Sequence, residues 1–233
     1  MRGPLFVAFL FGGLALTGVA SATPPQHFPS DLRQVEATVL ATFNFARTQP
    51  TAYVETLVAY RGFFHANAVI IPGQRVAMQT TEGRPAVDET IAFLQAQSGL
   101  GMLQPSETLR RAAADYVTEQ SHSGDTGHFG ADGSSPGDRV ARQGGGDQVA
   151  EVIAYGAQDA KDVIRQLLID DGVPDRGHRI AMFSAHLRYA GVACGPHPQY
   201  GTMCVIDMAD TPDATLPDEP RRAVAAMGQG AQH

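Results

Sequence analysis

Apolar residues recur at helical spacing in five stretches of this chain. Leu32, Val35, Val39, Phe43 and Ala46 fall on one face of a helix that Ser30 is placed to cap. Pro50 suits the first turn of a second helix through Tyr53, Leu57 and Tyr60, because its missing N–H is not needed there. Asp88 is placed to cap a short helix carrying Ile91 and Leu94, with a stop near Gly99. Ser106 precedes Leu109, Ala112, Ala113, Tyr116 and Val117, and the small alanines predict that another element packs closely on that face. The sharpest stripe is Ala160, Val163, Ile164, Leu167 and Leu168, which Gly172 and Pro174 bring to an end.

Strand signals are fewer. Residues 68–71 and 76–78 flank Pro72-Gly73 and predict a small hairpin. Residues 151–155 are a short apolar run. Residues 189–194 and 202–207 read as two strands joined by a loop over 195–201. Residues 124–146 are rich in Gly, Asp and Ser and predict a long loop, a length that in a folded domain points to function or disorder. Helices interleave with strands, and the strands concentrate in one late hairpin. That order favours an α+β fold with helices on an antiparallel sheet over a doubly wound parallel one.

The two ends alter this picture. Arg2, an apolar run over 4–20 and Ala20-Ser21-Ala22 read in order as a secretory signal peptide over residues 1–22. The apolar run falls short of the roughly 20 residues a membrane span needs, which favours cleavage over a retained anchor. A Pro-rich linker over 23–29, a domain over 30–210 and a Pro/Ala/Gly-rich disordered tail over 211–233 complete the division. The formal net charge of -7 becomes -8 without Arg2. An acidic balance argues against nucleic acid as a partner, and no later segment is apolar enough for a stable membrane span. The expected location is secreted or periplasmic. The two cysteines, Cys194 and Cys204, are expected to pair in that compartment and to staple the late hairpin.

Candidate chemistry rests on two histidines and three acids. Continuing the stripe of 160–168 at 100° per residue puts Asp171 near its middle and Asp170 near its edge. A carboxylate among apolar side chains needs a partner, and capping a neighbouring backbone would serve as well as any site. His128 lies in the glycine-rich loop, His178 follows the helix that carries the two aspartates, and Glu151 opens the apolar run between them. Two imidazoles and a carboxylate suit a divalent metal with an open fourth position, or general acid–base work. Their wide spacing forms no local ligand motif. His186 and His197 read as surface or satisfied core histidines, and no G-x-S-x-G elbow supports a serine hydrolase.

Ser121–Arg139 (SHSGDTGHFGADGSSPGDR) and Asp170–Phe183 (DDGVPDRGHRIAMF) resemble the two histidine-bearing segments of bacterial CAP proteins, the family of cysteine-rich secretory proteins, antigen 5 and pathogenesis-related proteins. Residues 109–120 resemble the helix before the first histidine, and residues 190–207 the closing hairpin. The resemblance implies a three-layer α-β-α sandwich with a central antiparallel sheet and a broad cleft. It implies a cleft tetrad of His128, Glu151, His178 and one acid, for which stripe geometry prefers Asp171 and Asp170 is the alternative. It further implies weak binding of a divalent metal, zinc above others, by His128, His178 and Glu151, with no catalysis established. Val152 stands where the family has Asn after the glutamate, and the segment after His178 lacks a usual Asn. Two lost amides thin the support of the cleft. The expected function is a secreted binding module for a metal or a small, lipid or protein ligand. A metal-assisted peptidase and a structural envelope protein with a vestigial cleft are the alternatives.

Overall fold

The computed structural model describes residues 31–73 and 77–216. The signal peptide and linker of the sequence reading, Ser30, and the tail from 217 onward lie outside these residues.

The chain opens with α1 (Leu32–Thr48), capped by Asp31, whose carboxylate accepts the N–H of Gln34 at 3.2 Å. α2 (Pro50–Arg61) begins on its proline as expected. Three two-residue strands follow: β1 (Phe64–His65), β2 (Ala68–Val69) and β3 (Met78–Gln79), ordered β1-β2-β3. The expected hairpin is therefore present, with β1 added at its side. α3 (Arg84–Ala96) starts four residues before the expected cap. Pro85 occupies its first turn, and Asp88 instead pairs with Arg61 at 2.7 Å.

β4 (Gln104–Pro105) leads into α4 (Glu107–Ser123), which Ser106 caps through the N–H of Leu109. The glycine-rich stretch is not one long loop. It contains α5 (Pro136–Arg142), closed at its start by a reciprocal Ser135–Asp138 capping box. Then come β5 (Ala150–Tyr155), α6 (Ala160–Ile169), a short α7 (Gly177–Met182) absent from the sequence reading, and the hairpin of β6 (Tyr189–His197) and β7 (Gly201–Ala209). This hairpin pairs as far as His197 with Gly201, so its loop is shorter than expected.

The main sheet runs β4-β6-β7-β5. Its long pairs are antiparallel, and only the two-residue β4 joins β6 in parallel. Strand alternation sends side chains to two different layers. Val152, Ala154, Val192, Cys194, Ile206 and Met208 pack with α1, α2, α3 and α6. Ile153, Ala193, Met203 and Val205 pack with Ala113, Tyr116 and Val117 of α4. The sheet is thus the middle of three layers, as the α-β-α sandwich requires. The four large stripe residues of α6 are nearly fully buried, at about 1.5–3 kcal/mol each.

The close contact signalled by the α4 alanines is with β6. A side chain at Gly191 would overlap the backbone of Leu109 and Arg110. Cys194 and Cys204 face each other across β6 and β7 and are disulfide-bonded, with Cα atoms 4.1 Å apart. Residues 211–216 depart from the expected disordered tail: Gly146 and Gln148 donate to the carbonyls of Asp213 and Ala214, and Ala214 is buried. Among the described residues, no helix is long and apolar enough to cross a membrane.

Candidate functional site

β5 is an edge strand, and the two histidines meet beside it. His128 comes from the loop between α4 and α5, and His178 from the first turn of α7. Their ring centroids are 6.3 Å apart.

The His128 loop is held from three sides. The Tyr116 hydroxyl bonds the carbonyls of Gly127 (2.7 Å) and Phe129 (3.1 Å), and Gln120 also donates to Gly127 O. The Gly127 N–H donates to the Tyr155 hydroxyl, which donates to Gln120. Arg139 of α5 donates to the carbonyls of His128 and Ser134 at 3.1 Å each. Its guanidinium lies 3.7 Å from the Tyr116 ring centroid.

Glu151 joins this set from β5. One carboxylate oxygen is 2.9 Å from His128 Nδ1 and the other takes a 2.7 Å bond from Arg139. Its side chain is 1% exposed. Both oxygens are therefore engaged within the protein, and Glu151 orients the ring and presents no free oxygen to the cleft. Directly opposite on β7 stands Asp207, fully buried; no donor of the described residues reaches its carboxylate oxygens, and when protonated it shares its proton with Glu151. Burial, and then the charge of Glu151, push the Asp207 carboxyl well above the usual carboxylate range, against the pull of Arg139.

The acid beside His178 is Asp170, not the preferred Asp171. α6 ends at Ile169, and Asp170 turns left-handed at φ 55° as its C-cap. The helical phase used in the sequence reading stops at that residue, so the stripe cannot be extended to Asp171. One Asp170 oxygen lies 2.6 Å from His178 Nδ1, and the other accepts the His178 backbone N–H at 3.0 Å. Asp171 takes the capping role instead. It accepts the N–H groups of Thr81 (2.6 Å), Glu82 (2.7 Å) and Gly83 (3.3 Å), just before α3.

Arginines brace the His178 half. Buried Arg179 donates to the carbonyls of Leu168 and Ile169 at the end of α6 and to Thr90 and Glu89. Arg176 bridges Glu82 and Glu89 and also bonds Asp170 O. The Arg176 bond, aided by the Gly172 N–H, lowers the Glu82 carboxyl to about 2. Support expected from family amides thus comes here from Arg139 and Arg179. The sequence reading missed both; the Ser135-Pro136-x-Asp138 start of α5 was the available signal for Arg139.

The structure brings His128, Glu151, Asp170 and His178 together and leaves Asp171 outside the set. A carboxylate holds Nδ1 of each ring, and neither Nε2 has a hydrogen-bond partner among the described residues. The arrangement offers two imidazole donors and no free carboxylate. Among the described residues, no group of three or more His, Cys, Asp or Glu is arranged to hold a metal ion. The other hairpin histidine, His197, is buried and satisfied, with Nε2 3.0 Å from Asp125 O and Nδ1 accepting from the N–H groups of Gln199 and Tyr200.

No curated protein matches the sequence. The structure is similar to an extracellular SCP-domain protein from Bacillus anthracis, with 15% identity and a TM-score of 0.40 over 54% of this chain. The chain spans 37% of the length of that protein. It is also similar to an outer surface protein from Borrelia burgdorferi, with 19% identity and a TM-score of 0.39 over 47% of this chain and 77% of that one. The sequence profile of the Cysteine-rich secretory protein family, CAP, matches residues 43–208, most of the chain, and the protein belongs to that family.

Proposed function

We propose that this CAP protein is an extracellular binding module whose cleft uses His128 and His178 as a weak two-imidazole site for a divalent cation, zinc above others. The supporting observation is that buried Glu151 and Asp170 each hold a ring by Nδ1 and leave Nε2 open. Carboxylates placed behind ligating imidazoles fix the tautomer and raise ligand basicity. With two protein donors, the remaining coordination positions fall to water or to a ligand, and affinity is low compared with three- or four-donor sites. The family and the amino-terminal pattern of Arg2 through Ala22 support export. Peptide hydrolysis is less well supported: both oxygens of Glu151 are engaged, and the open Nε2 atoms of His128 and His178, the candidate bases of the set, are the same atoms that would ligate the cation, which leaves a metal-assisted mechanism no separate base among the four residues.

Calorimetric titration with zinc tests the site. Binding should be weak in the wild type, should be lost in His128→Ala and in His178→Ala, and should fall as pH is lowered, since imidazole must be neutral to ligate. Equal binding by all three proteins would reject this pair of ligands. Absence of binding by any would favour a vestigial cleft.

A further inference from the structure

β5 is the outer strand of the main sheet, and the direction of its backbone groups can be read from its neighbours. Cys194 donates outward from β6 to Glu36, and Ala190 accepts outward from Ser106. Even-numbered β6 residues therefore face away from β7, and the parity carries across the register. Cys194 lies opposite Cys204, and Cys204 opposite Ala154. Ala150, Val152 and Ala154 bond to β7, which agrees with the bond from Gly156 N–H to Thr202 O. The backbone N–H and C=O groups of Glu151, Ile153 and Tyr155 must then point outward. Among the described residues, none of these six groups has a hydrogen-bond partner.

These groups border a groove. Ile153 and Tyr155 line a cavity of about 330 Å³ whose opposite walls are Leu167 and Ile169 of α6 and Phe64 and Met78 of the small sheet. The side chains of Ile153 and Tyr155 pack on the other face of the sheet against α4. They reach the groove through their main chain. Asp170 and His178 also line it, so the groove opens onto the cleft, and Asp171 and Arg165 add charge to its rim of polar residues.

We propose that the outer edge of β5 docks an extended polypeptide segment, which joins the sheet as a fifth strand and lays an apolar side chain against Leu167, Phe64 and Met78. The polar wall is a row of alternating donors and acceptors at the two-residue repeat of a strand, about 6.8 Å. A polypeptide backbone repeats its own groups at that spacing, and a compact ligand would leave most of the row unpaired. The edge is recessed between α6 and the small sheet, so a free segment can enter where the edge of another folded sheet cannot. Leu167, Ile169, Phe64 and Met78 favour an apolar side chain at the central position, and Arg165, Asp171 and His178 in the same lining suit polar residues on either side of it. Cation binding by the two imidazoles is not required.

Amide hydrogen exchange on the full chain tests this, with acetylated, amidated hexapeptides of the form Lys-Thr-X-Thr-Val-Lys as probes, where X is Leu, Ile, Phe or Met. In the free protein the amides of Glu151, Ile153 and Tyr155 should exchange readily while those of Val152 and Ala154 are protected. At about 1 mM peptide, at least one probe should slow the three outward amides about tenfold, with or without a chelator. The effect should vanish for the same peptide N-methylated at alternate residues, and in Ile153→Pro, which removes one outward N–H and no ladder bond. Protection of the three amides in the free protein, whether fixed or rising with protein concentration, would show the edge already covered by the chain's own tail or by a second copy, and would overturn the proposal. So would exchange unchanged by every probe, or equal protection by the N-methylated peptide.

Discussion

The two histidines are held by the same pairing but stand on unlike foundations. Behind His178, no buried side-chain polar atom among the described residues is left without a partner. Asp170 uses both oxygens on a single residue, and Arg179 and Arg176 tie up the carbonyls around it. Behind His128, Glu151 and Asp207 face each other on neighbouring strands, the one guanidinium there bonds Glu151 alone, and Asp207 is left without a donor. The difference shows that one cleft can combine a rigid half with a half that carries an electrostatic cost. The His178 half sits at a helix end, where backbone groups are free to be used. In the His128 half, Asp207 sits on β7, a strand paired on both sides, where they are not.

The largest expected effect tests the costly half. Arg139→Met removes the guanidinium that bonds buried Glu151, next to buried Asp207, and frees the His128 loop. Unfolding in urea should show a loss of about 3–5 kcal/mol, the usual result of stripping one partner from a buried pair. A loss below about 1 kcal/mol would mean that water reaches these acids, and the contrast between the halves would collapse.

The next test separates the adjacent aspartates. Asp170→Asn should weaken zinc binding about 10- to 100-fold, because the ring loses the carboxylate that orients it. Asp171→Asn should leave zinc binding unchanged and cost about 1–2 kcal/mol of stability through the loop before α3. Titration and urea unfolding of both variants decide between them, and the opposite pattern would restore Asp171 to the cleft.

The smallest expected effect concerns Asp207. Its carboxyl is raised in the folded protein above an ordinary value of 3.8. Below that value it is protonated whether the chain is folded or not, and burial carries no penalty. As pH rises toward the folded value, the folded state must keep a proton that the unfolded chain has released, and stability is lost. Asp207→Asn should therefore raise the melting temperature at neutral pH and leave it unaltered below 3.8. An equal change at both values would point to packing and not to charge.

Much of this was legible in the residues. The stripes of α1, α4 and α6 gave those helices, and the cysteine pair gave the disulfide. The convergence of His128, Glu151 and His178 was not in the spacing; it came with the resemblance. Two features stayed hidden for physical reasons. The left-handed turn at Asp170 breaks helical phase at the one position where phase was used to choose between the acids. α5 and α7 are too short to show a period, so no pattern marked Arg139 and Arg179 as buried. The buried acid at Asp207 was invisible as well, because a strand covered on both faces offers no polar side on which to expect one.

The contact at Gly191 gives the cleft a remote tuning point. α4 lies directly on β6 there, and Tyr116 and Gln120, farther along the same helix, grip the His128 loop. Even one added methyl group would lift the helix away from the strand. The displacement would reach the histidine about two helical turns from its origin. A library aimed at ligand preference could therefore spare the lining of the cleft. It would place small spacers at Ala112 and Ala113, where α4 meets the sheet, and treat the helix as a lever with its fulcrum at the glycine.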